Sequence, residues 1–85
     1  MSEWHPIFYT SEPAPGVWTM IAPGDDAPFG RIELRRTEAG PRYRVTLGRD
    51  VIGWATSLRV ACERLWVARL EAMQRGRDGP PNGGR

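Results

Sequence analysis

The chain has 85 residues, a formal net charge of +2, one cysteine and one histidine. That length supports one domain with a modest core, and no apolar run approaches the roughly 20 residues that a membrane-spanning helix needs. The lone cysteine, Cys62, excludes an internal disulfide and fits a reducing cytosol.

The N-terminal stretch MSEWHPIFYTSEP has no basic region followed by an apolar one, so a secretory signal is not expected. Residues 1–15 place Trp4, Ile7, Phe8 and Tyr9 among prolines and read as an extended arm whose aromatics dock on the core. Residues 16–22, GVWTMIA, are rich in β-formers and read as a first strand. PGDDAP, residues 23–28, is a loop by composition. A second strand runs from about Phe29 to Thr37 and a third from about Arg42 to Leu47, joined through Glu38-Ala39-Gly40-Pro41. Gly48-Arg49-Asp50 connects tightly to a fourth, Val51 to Ala55. Thr56 or Ser57 caps a helix from Leu58 to about Arg75, and Gly76 is its expected stop. The tail, residues 76–85, has nothing apolar to pack and is expected to be disordered. The fold class is therefore α+β. A three- to four-stranded antiparallel meander forms residues 16–75 with one C-terminal helix across one face.

Register follows from the alternation. A four-residue loop at 38–41 sets Thr37 opposite Arg42, Leu34 opposite Val45 and Ile32 opposite Leu47. The same pairing sets Arg35 opposite Arg44 and Glu33 opposite Thr46 on the other face. A slip by one residue would mix the two faces, so the separation itself supports the parity. The expected core is Ile32, Leu34, Val45, Leu47, Ile52, Trp54, Leu58, Ala61, Cys62 and Leu65. Trp54 joins it if residues 49–50 form a two-residue turn. Trp18 belongs either to the core or to the open face, and Trp66 to the rim of the helix stripe. Arg69 falls within the apolar stripe, so its guanidinium must reach solvent or a carboxylate.

Little in the sequence points to catalysis. His5 precedes a proline in the arm, and a general base needs a rigid partner. Cys62 lies on the inward helix face, where a thiol is usually a small hydrophobe. Asp25-Asp26 reads as a turn. No metal-ligand cluster, phosphate-binding glycine loop or nucleophile elbow is present, so neither enzyme activity nor a cofactor or metal is expected. Val60 and Val67 are one heptad apart on the helix side expected to face away from the sheet. Arg59, Glu63, Arg64 and Glu71 surround them, so they form a possible homodimer contact.

The basic residues carry the strongest signal. All twelve are arginine, and all lie from Arg31 onward. A GC-rich genome would also favour arginine over lysine. Guanidinium nevertheless suits bidentate contact with phosphate or carboxylate. Arg31, Arg35, Arg42 and Arg44 share the face opposite the expected core, which makes that face a candidate anion-binding surface. The leading expectation is a nucleic-acid backbone. The alternative is an acidic protein partner on the same face or on the helix. A net charge of only +2 argues against strong nonspecific DNA binding.

A three-stranded antiparallel sheet backed by a helix resembles the arm-site DNA-binding domain of tyrosine integrases over roughly residues 16–75. It also resembles the plant ethylene-response DNA-binding domain. The resemblance implies that the open sheet face enters the major groove, with Arg31, Arg35, Arg42 and Arg44 as the DNA-reading residues. PRYRVTLGRDVIGWATSLRVACERL also resembles the strand–strand–helix half of double-stranded-RNA-binding domains, although only Arg59 matches that family's basic cluster. The short length resembles small accessory proteins of actinobacteria and their phages, which often bind a host protein.

Overall fold

The computed structural model describes residues 4–78. A short 3-10 turn, Pro6–Tyr9, leads into five strands: β1 (Thr10–Ala14), β2 (Val17–Met20), β3 (Gly30–Thr37), β4 (Gly40–Leu47) and β5 (Asp50–Ala55). One helix follows, α1 (Leu58–Asp78). The strands form one antiparallel sheet in the order β1-β2-β3-β4-β5. The α+β class is as expected, with one strand more. The extra strand, β1, falls within residues read as an arm. Pro15-Gly16, with Gly16 at φ +79°, makes the turn that lets β1 fold back on β2, because proline suits the first central position and glycine the left-handed second.

Turn chemistry sets the register of the central hairpin. Only Glu38 and Ala39 lie between paired Thr37 and Gly40, and Gly40 takes the left-handed conformation at φ +107°. The loop is thus two residues shorter than expected. Ile32 pairs with Val45, Leu34 with Tyr43, Glu33 with Arg44 and Arg35 with Arg42. A shift of two preserves every residue's face and changes every partner.

The helix begins where Ser57 Oγ accepts the Val60 backbone N–H at 3.2 Å, one of the capping alternatives expected. It continues through Gly76, which costs a helix roughly 1 kcal/mol without ending it. Its inner side buries Ala61, Cys62 and Leu65 against Met20, Ile32, Val45 and Ala55. Gly30 is the point of closest approach: a Cβ there would lie 2.6 Å from Leu65 Cδ1 and 2.7 Å from the Thr46 carbonyl oxygen.

Three expected core residues are exposed: Leu34 at 43%, Ile52 at 41% and Trp54 at 43%. Leu34 faces the helix side but lies outside the cluster the helix covers. Ile52 is the unpaired residue of a β-bulge on the helix side, and Trp54 beyond it is moved by that bulge. The β4–β5 turn is Gly48-Arg49, so Leu47 pairs with Asp50 and Thr46 with Val51. The register then shifts, and Val45 meets Gly53 while Arg44 meets Trp54. The extra residue in β5 turns Trp54 from the helix side to the outer face. Trp18 packs partly against the core, with its ring 5.7 Å from that of Tyr43.

Arg69 resolves its conflict with the apolar stripe by pairing. Its Nη2 donates to Asp25 Oδ2 at 3.2 Å, and its guanidinium lies 4.8 Å from the Phe29 ring centre and 5.7 Å from that of Trp66. The PGDDAP loop therefore supplies the counter-charge for the helix. Trp4, Tyr9 and Trp66 cluster with centroids 5.3–5.7 Å apart, so Trp4 and Tyr9 dock on the helix rim, whereas Phe8 stays 66% exposed.

Candidate nucleic-acid interface

The outer face of the sheet is built by parity from β2 to β5. Arg31, Glu33 and Arg35 come from β3, Arg42, Arg44 and Thr46 from β4, and Val51 and Trp54 from β5. All four arginines expected to share a face do so.

Their environments differ. Arg44 opposes Glu33 and donates to its carboxylate from Nε at 3.0 Å and also from Nη2. Arg31 lies 3.6 Å from the other Glu33 oxygen. The hydrogen bond from Arg44 holds the Glu33 carboxyl below its ordinary range of 4.5. The charges of Arg44, Arg31 and Arg35 act in the same direction, and partial burial opposes them. Arg31, Glu33 and Arg44 thus form a partly neutralised cluster.

Arg35 and Arg42 are directly opposed, and neither forms an ion pair with a carboxylate among the described residues. Among the described residues, Arg42 Nη1 donates to the neighbouring Pro41 carbonyl, at 2.8 Å. Trp54 stands across from Arg44 and diagonal to Arg42, with its side chain open to solvent. The sequence reading missed Trp54 as a surface residue. The only local signal of its position is the Gly53 beside it, since glycine within a strand often marks a bulge.

No protein-family model, curated protein or solved structure matches the chain.

The remaining candidate residues lie off this face. Val60 is half-buried against the core. Val67, half-exposed, lines a groove of about 500 Å³ between the helix and the β4–β5 side of the sheet, together with Val45, Leu47 and Ile52. The helix side that carries them is therefore turned partly toward the sheet, with Val67 still 50% exposed. His5 is buried and rigidly held. Its Nδ1 accepts the Ile7 backbone N–H at 3.0 Å and its Nε2 lies 2.8 Å from Glu63 Oε2. The histidine expected in the extended arm is thus a structural clasp between the N-terminal turn and the helix. Burial pushes the Cys62 thiol up to about 11, with a smaller push from Glu63. That is the direction opposite to an activated nucleophile. No group of metal-ligating side chains occurs among the described residues, and no described helix is long and apolar enough to cross a membrane.

Proposed function

We propose that this chain is a non-enzymatic binding module that contacts nucleic acid through the outer face of its sheet. The observation that carries the reading is the directly opposed pair Arg35 and Arg42, which has no ion-paired carboxylate among the described residues. Like charges facing each other across a sheet cost stability, on the order of 0.2–1 kcal/mol per pair. An anion bridging the two guanidiniums removes that cost and gains charge-assisted hydrogen bonds. A phosphodiester backbone offers such an anion at regular spacing, and guanidinium matches its geometry.

The test is fluorescence anisotropy with labelled polynucleotide at stepped salt concentrations. Wild type is expected to bind more weakly as salt rises, because each neutralised phosphate had released counterion. Arg35→Glu with Arg42→Glu should abolish binding and leave the melting temperature nearly unchanged, because one opposed like-charge pair replaces another. Unaltered affinity in that double variant would overturn the reading.

A second reading, an acidic protein partner on the same face, draws on the exposed Val51 and Trp54 beside the arginines, since aromatic and arginine side chains are enriched in protein interfaces. In a pull-down it predicts a partner retained after nuclease treatment and lost in the same double variant.

A further inference from the structure

We infer that the outer face takes single-stranded, not duplex, polynucleotide, with Trp54 as the stacking platform for an unpaired base. This inference rests on the proposed nucleic-acid reading and names the form of substrate that face would hold.

The argument begins with the bulge in β5. Without it, Trp54 would continue the alternation onto the helix side and lie opposite Tyr43. With it, Trp54 lies opposite Arg44 and is 43% exposed. No aromatic ring packs against it among the described residues. An exposed indole offers one N–H donor and a broad π-face. Against duplex DNA it would meet phosphate and groove edges, where it has little to bond. An unpaired base presents a face of matching size and polarity, and such stacking tolerates any sequence.

Position supports the same occupant. Trp54, Arg42 and Arg35 run diagonally across three adjacent strands. Diagonal neighbours on a sheet stand about 7–8 Å apart and opposed ones about 5 Å, both within reach of long side chains. A base on Trp54 therefore brings its own backbone over the arginine pair that has no ion-paired carboxylate among the described residues. Arg44, beside the indole, is held by Glu33 and borders the platform without competing for phosphate.

The charge count agrees. Two of the four face arginines are engaged by Glu33, which leaves two for phosphate. Wide duplex grooves are usually held by many more backbone contacts, whereas a short single strand that stacks needs few. For two phosphate contacts on a single strand, log affinity should fall against log salt with a slope of about −1.4.

The experiment titrates wild type, Trp54→Ala, Trp54→Phe and Arg35→Gln/Arg42→Gln with a labelled mixed-sequence oligonucleotide of about 12 nucleotides, within the span of small single-strand sites. The oligonucleotide is presented as DNA, as RNA and as the matching DNA duplex. Single strands of either sugar should bind wild type more tightly than the duplex. Trp54→Ala should weaken single-strand binding about tenfold and leave the salt slope unchanged. Trp54→Phe should restore most of the loss. The arginine variant should flatten the slope. Equal or tighter duplex binding, or a Trp54→Ala variant with wild-type affinity, overturns the single-strand inference while leaving the proposed nucleic-acid function standing. No binding of any polynucleotide by wild type overturns both. Circular dichroism of each variant confirms the fold, and the phenylalanine arm separates lost stacking from lost structure.

Discussion

The two faces of this sheet are made by the same alternating strands and respond to opposite demands. The helix side is closed by shape: Leu65 sits so near Gly30 that a single methyl group does not fit. The outer side is governed by charge, with one cluster centred on Glu33 and one arginine pair without an ion-paired carboxylate among the described residues. Alternation assigns each residue to a face, but it does not say whether that face is set by packing or by electrostatics. Substitutions on the helix side should therefore change stability and leave anion binding intact. Substitutions on the outer side should change anion binding and move stability by about 1 kcal/mol or less.

The sharpest test of the packed side is Gly30→Ala. The added Cβ meets the Leu65 side chain and the Thr46 backbone oxygen, and only the first of these yields easily. Overpacking of this kind typically costs about 1–3 kcal/mol, and we expect the upper half of that range, read from chemical denaturation. A loss under about half a kcal/mol would show that the helix sits more loosely on β3 than described.

Glu33→Gln tests the outer face in both stability and binding. The Glu33 carboxyl is held below 4.5 in the folded chain, so its contribution is complete above about pH 4.5 and is lost as pH falls through the lower, folded value. The variant should lose about 1 kcal/mol at pH 7, the scale of a charge-assisted hydrogen bond near the surface. That difference should shrink progressively as pH falls below 4.5. At neutral pH the same variant should bind polynucleotide more tightly, because Arg31 and Arg44 are released. A stability gap that persists at low pH would mean the carboxylate charge is not its source.

The smallest expected effect is at Arg35→Thr. Threonine suits a strand and removes one of two opposed like charges, so the folded chain should gain up to about 0.5 kcal/mol in thermal melting. A decrease instead would place the stem of Arg35 among the packed groups of the fold and weaken the contrast between the faces.

Parity, a local property, was legible in the residues themselves. Ile32 and Val45 against Glu33 and Arg44 told the inner from the outer face, the glycine-free run from Leu58 marked the helix, and Ser57 marked its start. The class of fold and the grouping of four arginines followed. Pairing was less legible because it depends on turn length. Gly40 in the left-handed region shortened the hairpin loop, and Arg35 met Arg42 where Arg44 had been expected. The N-terminal strand was hidden because TSEPA has no alternation to show; it is held by backbone pairing to β2, which carries no side-chain signature. Arg69 needed a carboxylate, and only the folded chain showed that a loop 44 residues earlier provides it. Trp54 depended most on tertiary structure. One inserted residue in β5 sent it to the opposite face, because a strand's period of two turns any single-residue shift into a complete reversal of side.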